Sequence, residues 1–278
     1  MDTFYSSHSS LKKVEYITKT SPAKQECEDA YIINDNLDIY GVLDGATPMD
    51  NFKNEKGHNG AYLAANLFKS YFESLKKTTG LRNEILHANK LLKNAMESYG
   101  VDQTKKHYLW CTCISAVQVK EESLTYASLG DTMILTCDKY ENVNVLTVDT
   151  VKNISSRARI IREMDRFNGL NVQGERYFKD KQNRVIYNRK MANAPNGYSV
   201  ANGMEEVEAY IQYGMLDTKG LNHVLLLSDG LFDPKGDLRK VYWEIAENGL
   251  EEYVNKLSSW EQDEKCDSDD KTAVLLYF

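Results

Sequence analysis

Short strand-like runs follow one another in two blocks along this sequence, and their order constrains the fold more than any other feature. The first block contains the runs 13–19, 29–35 and 37–45, and the second contains 108–119, 123–131, 132–137 and 143–148. Two helical patterns, 57–77 and 83–100, separate the blocks, because apolar residues recur there at helical spacing. Consecutive strands joined by polar turns favour antiparallel pairing over a parallel sheet with alternating helices.

The rest of the chain continues this pattern. A helix is predicted at 153–167, a strand at 224–230, a helix around 249–262 and a last strand at 272–278. The segment 168–196 is polar and irregular, so it is either a mobile insertion beside a site or a surface loop. The sequence therefore predicts one α+β domain over residues 1–278. Its architecture is a four-layer α-β-β-α sandwich of two mainly antiparallel sheets flanked by helices.

Charge and cysteine content exclude several classes of function. The net charge of −7 does not suit binding to nucleic acid or to an anionic membrane surface. No apolar stretch approaches the roughly 20 residues that span a bilayer, and no basic segment leads into an apolar core at the N-terminus. Five cysteines without framework spacing indicate free thiols in a reducing compartment, so we expect a cytoplasmic protein. Separately, we expect a monomer. Cys111 and Cys113 are too close in sequence for the usual zinc spacing.

Four aspartates share one kind of position. Asp44, Asp131, Asp229 and Asp269 each stand where an apolar strand run meets a turn. In a sandwich whose strands end at a common rim, such residues can converge, and packed carboxylates raise one another's pKa. Hard divalent cations would neutralise them, and all-oxygen ligation suits magnesium, manganese or calcium rather than zinc.

Glycine follows two of these aspartates, at Gly45 and Gly230. Without a Cβ, glycine adopts turn conformations closed to other residues and lets its carbonyl approach a metal ion. Asp-Gly is also a common turn dipeptide, so each instance alone is weak evidence. Gly230 either brings its backbone to a metal or only makes the turn.

Five segments in order resemble the signature motifs of the type-2C metal-dependent serine/threonine protein phosphatases, the PPM family. They are "KQECEDAYII" (24–33), "YGVLDG" (40–45), "YASLGDTMILTC" (126–137), "LLLSDGLFD" (225–233) and "SDDKTAVLLYF" (268–278). The resemblance spans residues 24–278 and is closer to the compact bacterial members than to the animal enzymes.

The resemblance implies a centre of two Mn²⁺ or Mg²⁺ ions. Asp44 would bridge both ions, Gly45 would give its carbonyl to one, and Asp229 and Asp269 would hold the other. A one-residue slip in the closing motif would make Asp270 the ligand instead of Asp269.

Further acidic residues match supporting positions of the family. Glu28 and Asp29 resemble the pair that contacts metal-bound waters. Asp131 and Asp233 match positions that support a third, weaker metal in some members, and both could equally be turn or cap residues.

The reaction implied is hydrolysis of phosphoserine or phosphothreonine monoesters on proteins by a metal-bridging hydroxide, without a phosphoenzyme. The phosphorylated protein is then the expected partner. Two alternatives stay open: a non-catalytic relative that binds a partner, and a phosphatase that acts on small phosphate esters.

Two departures from the motifs affect the expected substrate chemistry. Lys24 stands where the family has its phosphate-binding arginine, and a lysine attracts phosphate without the bidentate fork. Lys24 is thus a candidate phosphate ligand or a plain solvated residue. No acid for the leaving group is evident after Gly45. His58 is a candidate, although a lone histidine near a helix start is more often a surface or capping residue.

Overall fold

Two antiparallel sheets packed face to face form the centre of the computed structural model, which describes residues 3–4, 11–46, 49 and 51–278. The six-stranded sheet contains β1 (Thr3–Phe4), β2 (Lys13–Lys19), β7 (Met133–Asp138), β8 (Val143–Val145), β10 (Leu221–Leu227) and β11 (Lys271–Tyr277), in the order β1-β2-β11-β10-β7-β8. The five-stranded sheet contains β3 (Asp29–Asn34), β4 (Ile39–Ala46), β5 (Cys111–Val119), β6 (Ser123–Leu129) and β9 (Gln212–Asp217), in the order β3-β4-β5-β6-β9.

Helices cover the outer face of each sheet. The helices α1 (Gly60–Ser74) and α2 (Leu81–Ser98) share a buried apolar cluster with the five-stranded sheet, and α5 (Leu238–Asn248) and α6 (Leu250–Asp263) share another with the six-stranded sheet. A third cluster lies between the sheets. These three cores are the three interfaces of the predicted α-β-β-α sandwich, so the fold class predicted from the sequence is confirmed.

Strand alternation decides which side chains reach the space between the sheets. In β4, Ile39 and Leu43 join the cluster under α1 and α2, whereas Tyr40 and Val42 join the cluster between the sheets. Successive side chains of a strand point to opposite faces. Asp44 continues the series of Tyr40 and Val42, so it stands at the open end of the space between the sheets.

The structure also corrects the sequence prediction at two places. The segment 168–196, predicted to be irregular, contains the helix α4 (Lys181–Lys190), which follows α3 (Ile154–Phe167). The helix α5 was not predicted at all. The helix α4 has no buried residue, and α5 buries only Val241, Tyr242 and Ile245. Neither helix therefore has the wide apolar stripe by which a helix is predicted from sequence.

No helix in the part of the chain that the structure describes is long and apolar enough to span a bilayer. All five cysteines lie in that part, and none of them forms a disulfide.

Candidate active site

Four of the predicted carboxylates line one pocket of about 240 Å³ at the rim of the sandwich: Asp44, Asp131, Asp229 and Asp269. Asp44 lies near the C-terminal end of β4. Asp131 follows β6, Asp229 follows β10, and Asp269 precedes β11. Residues up to 225 positions apart in sequence therefore meet, as their placement at strand ends predicts.

Both Asp-Gly glycines are required by close backbone contacts. A Cβ on Gly45 would lie 2.5 Å from the carbonyl oxygen of Glu28 and 2.6 Å from that of Ala61. A Cβ on Gly230 would overlap the carbonyl oxygen of Asp270. Glycine thus allows the segment after Asp229 to pack directly against the closing motif, which brings Asp229 and Asp269 into the same pocket.

The two neighbouring aspartates of the closing motif have different environments. Asp270 is only 1% exposed; its Oδ1 accepts a hydrogen bond from the Ser21 amide and its Oδ2 one from the Glu28 amide, both at 2.7 Å. The side chain of Asp269 is 54% exposed and lines the pocket. Because both oxygens of Asp270 are used by the backbone, this difference favours Asp269 as the residue available to a ligand.

Glu28 and Asp29 lie in a buried layer next to the pocket. The Ser228 hydroxyl donates to Asp29 Oδ2 at 2.7 Å, and Asn59 Nδ2 donates to Glu28 Oε1 at 2.5 Å. Asn59 is also the N-cap of α1, where its side chain accepts from the Tyr62 amide. The sequence prediction missed Asn59 and Ser228, although Ser228 directly precedes Asp229 in the motif.

Asp131 and Asp233, predicted together at a third metal, are placed differently. Asp131 lines the pocket, and its buried Oδ1 has no hydrogen-bond partner among the described residues. Asp233 is not part of the pocket lining; its Oδ1 accepts from Lys240 Nζ and its Oδ2 from the Lys235 amide at 2.8 Å. The structure brings Asp131 to the other carboxylates but not Asp233.

Lys24 lines the pocket, and its ammonium group pairs with three carboxylates. The distances from Nζ are 2.7 Å to Asp269, 2.9 Å to Glu28 and 3.1 Å to Asp270. Burial opposes the charged form, but hydrogen bonds to Asp269 and Glu28 raise the pKa of Lys24 above its ordinary value. An ammonium carries three protons, so the predicted phosphate contact requires Lys24 to leave at least one of these carboxylates.

The pocket concentrates negative charge. Burial and the neighbouring Asp229, Asp29 and Asp131 raise the pKa of Asp44 well above its ordinary range. Burial and Asp269 also raise the pKa of Asp229, and burial together with Asp229 raises that of Asp131 to about 7. Repulsion of this kind is relieved by a bound cation.

These residues fit a centre of hard divalent ions. The donors are all oxygens, the carboxylates repel one another, and Asp131 keeps an unpaired buried oxygen. Among the described residues, no three His, Cys, Asp or Glu side chains form a single-ion cluster. A magnesium-like ion keeps several water ligands, so one or two carboxylates per ion are sufficient.

Residues that the sequence prediction missed complete the pocket wall. Cys113 lies opposite Asp44 in the β4–β5 ladder, and burial with the charges of Asp131 and Asp44 raises the pKa of its thiol well above its ordinary value. Asn188 and Arg189 of α4 also line the pocket. The position of Cys113 follows from strand register, but nothing in an apparently irregular segment pointed to Asn188 or Arg189.

His58, the candidate acid, is not part of the pocket lining. Its Nδ1 lies 2.6 Å from Glu26 Oε2, and its ring stacks on Tyr62 with centroids 4.0 Å apart. His58 is therefore not placed among the pocket residues as an acid for the leaving group, and the N-cap of α1 is Asn59 rather than His58.

Comparisons with known proteins identify the family of this chain. The family model of protein phosphatase 2C matches residues 19–269. A comparison with curated protein sequences gives no match.

Solved structures of bacterial phosphatases share the fold. The serine/threonine phosphatase Stp1 from Staphylococcus aureus is 18% identical, with a TM-score of 0.61 and coverage of 100% of this chain and 99% of that one. The Mycobacterium tuberculosis phosphatase PstP/Ppp is 15% identical, with a TM-score of 0.61 and coverage of 95% and 97%. The catalytic domain of PstP in complex with two manganese ions is 14% identical, with a TM-score of 0.58 and coverage of 95% and 96%. Because the family model covers most of its length, this chain belongs to the protein phosphatase 2C family and is a metal-dependent serine/threonine protein phosphatase.

Proposed function

We propose that the pocket formed by Asp44, Asp131, Asp229 and Asp269 hydrolyses phosphoserine and phosphothreonine monoesters on proteins with the help of two divalent ions. Asp44, the Gly45 carbonyl, Asp229 and Asp269 would hold these ions. The observation that carries the proposal is the convergence of four carboxylates from separate strand ends on one pocket. Either Mn²⁺ or Mg²⁺ suits this oxygen donor set.

Bound divalent ions supply Lewis acidity and lower the pKa of water towards neutrality. The chain's own residues keep the ligands in position. Ser228 orients the buried carboxylate of Asp29, and Asn59 orients that of Glu28. Asp270 ties the Ser21 and Glu28 amides to the closing strand, so the acidic residues of three segments form one rigid group.

Asp131 is the candidate for a third, weaker ion. Its unpaired buried oxygen supports this role, whereas Asp233 pairs with Lys240 and lies outside the pocket lining. A third ion held by both residues would require the Asp233–Lys240 pair to separate.

Hydrolysis of p-nitrophenyl phosphate with manganese tests the proposed centre. Adding a chelator, or changing Asp44→Ala, should each lower kcat/KM by on the order of 10³-fold, because either change removes most of the electrostatic stabilisation of the transition state. The matched control is Asp263→Ala, an exposed aspartate outside the pocket. Activity that survives both treatments would show that the carboxylates do not carry the reaction.

Phosphothreonine peptides separate the protein phosphatase from a phosphatase of small esters. A protein phosphatase should cleave such peptides with a higher kcat/KM than p-nitrophenyl phosphate in the same buffer, since binding energy from the peptide contributes to the transition state. A small-ester phosphatase would reverse this order.

A further inference from the structure

The helical insertion 151–200 has a charge opposite to that of the rest of the molecule. It carries 11 lysines and arginines against 4 acidic residues, a formal charge of +7 in a chain whose total is −7. The same segment supplies Val185, Asn188 and Arg189 to the wall of the carboxylate pocket. A basic element thus stands directly beside an acidic site.

A groove of about 960 Å³ continues from that pocket. Lys24 and Asp269 line both the pocket and the groove. One rim of the groove contains Lys181, the first residue of α4, and the other is formed by α6 and the segment that follows it. A chain lying in the groove would therefore have one of its residues at the carboxylates.

Charge in the groove favours an acidic occupant. Lys19, Lys181 and Lys265 line it, whereas the charge of Lys24 is already balanced by its carboxylate partners. Of its acidic residues, Glu261 pairs with buried Lys271 at 2.7 Å and Asp269 pairs with Lys24, which leaves Asp267. Near Lys181, the exposed residues Arg176 and Lys179 add further positive charge, while Asp180 accepts from the Asn183 amide as the N-cap of α4.

We propose that this groove binds the polypeptide on one side of the phosphorylated residue, and that the basic rim at 176–181 selects substrates with acidic residues there. The inference rests on the proposed function, because it assigns a substrate class to the same site. Charge complementarity supports the choice of an acidic phosphopeptide, since oppositely charged surfaces raise the association rate and suppress wrong partners. The Coulomb attraction acts on the flanking residues, so it adds to the affinity of the phosphate itself.

Binding is measured first, so that the result does not depend on turnover. Two fluorescent peptides carry a non-hydrolysable phosphonate analogue of phosphothreonine, one with acidic and one with neutral flanking residues, and fluorescence anisotropy gives Kd with manganese present. The acidic peptide should bind wild type roughly tenfold more tightly at about 0.05 M salt. The difference should shrink at about 0.5 M salt, because the Debye length falls to a few ångströms.

Lys181→Glu identifies the groove. A glutamate at the start of α4 suits the helix dipole, so the helix is retained. The variant should reduce the ratio of the two affinities roughly three- to tenfold, as expected for the reversal of one surface charge. The control is Lys77→Glu. Lys77 is exposed and follows the C-terminal end of α1, whereas it is the N-terminal end of α1 that contacts Glu28, through Asn59. This variant should leave the affinity ratio and the basal activity unchanged.

Equal affinities for the two peptides, or a ratio unaffected by Lys181→Glu, would overturn the substrate preference even if the enzyme hydrolyses phosphate esters. Conversely, if wild type showed no metal-dependent hydrolysis at all, the proposed function would be refuted. The ratio of the two peptide affinities, measured by anisotropy, would still report on binding in the groove. The two failures are therefore distinguishable.

Discussion

Gly45 illustrates how single atoms control the site. Its missing Cβ allows β4 to approach the carbonyl oxygens of Glu28 and Ala61, at calculated distances of 2.5 and 2.6 Å for an added Cβ. Both neighbours are backbone atoms, so Gly45→Ala should push β4 away and destabilise the protein by roughly 1–3 kcal/mol, the usual cost of overpacking. Urea unfolding of the chelated protein measures this effect.

The matched control for Gly45→Ala is Gly174→Ala. A Cβ there would meet no atom within 4 Å, and the backbone of Gly174 is not in the left-handed region. This variant should be neutral or slightly stabilising, because alanine restricts the unfolded chain. Equal unfolding midpoints for the two variants would contradict the close approach at Gly45.

Lys24 is the second position where one residue sets the chemistry. A divalent ion at Asp269 must compete with the Lys24 ammonium, which lies 2.7 Å from the same carboxylate. Lys24→Met should therefore tighten Mn²⁺ binding roughly three- to tenfold, as the loss of one nearby positive charge in a partly exposed site predicts. Isothermal titration calorimetry measures this affinity independently of turnover, with Lys77→Met as the control; weaker Mn²⁺ binding by Lys24→Met would mean that the lysine helps to assemble the site instead.

At the residue scale, the sequence identifies the acidic residues but not the state of each one. The placement of aspartates at strand ends predicts that Asp44, Asp131, Asp229 and Asp269 share a pocket. The role of Asp270 depends on the approach of the Ser21 and Glu28 amides from more than 240 residues away, which no local pattern encodes.

At the scale of elements, Glu175 is the acidic centre of a contact network in the insertion 151–200. The guanidinium groups of Arg162 and Arg166, both on α3, donate hydrogen bonds to Glu175. The Arg162 guanidinium also lies 4.0 Å from the centre of the Phe178 ring and 4.9 Å from the centre of the Tyr187 ring on α4. Hydrogen bonds from Arg162 and then Arg166 lower the pKa of Glu175 to about 2. This network links α3, the connection 168–180 and α4.

Glu175→Gln should loosen α4. The lost charge-assisted bonds are partly exposed, so the expected cost is about 1 kcal/mol, equivalent to a roughly fivefold loss of amide protection in 181–190. Hydrogen exchange with mass spectrometry measures this loss. The control is Glu163→Gln, which removes an exposed pair with Arg159 within α3 and should leave α4 unchanged.

The same network predicts a pH dependence of the insertion. Because its folded pKa is lowered, Glu175 stabilises the insertion fully above its ordinary pKa of 4.5, and this contribution is lost as the pH falls towards 2. Protection of 181–190, corrected for the intrinsic exchange rate, should therefore fall between pH 5 and pH 3 in wild type and much less in Glu175→Gln. Parallel curves for the two proteins would exclude Glu175 as the cause.

Elements with clear periodicity were predictable, and those defined by polar contacts were not. Apolar runs bounded by polar turns predicted β2 to β8, β10 and β11, because one face or both faces of these strands are buried in apolar clusters. The helix α4 has no buried residue and depends on contacts such as the Asp180 cap and the Arg162–Tyr187 stacking. Such contacts appear only when distant segments are already placed.

At the scale of the whole molecule, the site reduces the stability of the metal-free protein. Folding raises the pKa of Asp44, Asp229 and Asp131, the last to about 7, because burial and mutual repulsion disfavour their charged forms. The folded state therefore binds more protons than the unfolded state between the ordinary aspartate pKa of 3.8 and about 7. Stability from these groups rises as the pH falls from about 7.5 to 5, the reverse of an ordinary salt-bridged aspartate.

Asp44→Asn tests this conclusion. It removes one of the repelling charges with little change in shape, so the chelated variant at pH 7.5 should be more stable than wild type by on the order of 1–3 kcal/mol, which corresponds to about 2–4 °C in Tm for each kcal/mol. Manganese should raise the Tm of wild type and much less that of the variant, since a ligand stabilises only the state that binds it. Scanning calorimetry with chelator or manganese between pH 5 and 7.5 measures both effects, with the exposed Asp263→Asn as control. A Tm in chelator that is lower for Asp44→Asn than for wild type would mean that the carboxylates stabilise the metal-free fold. It would contradict the conclusion that the cation site lowers the stability of the metal-free protein.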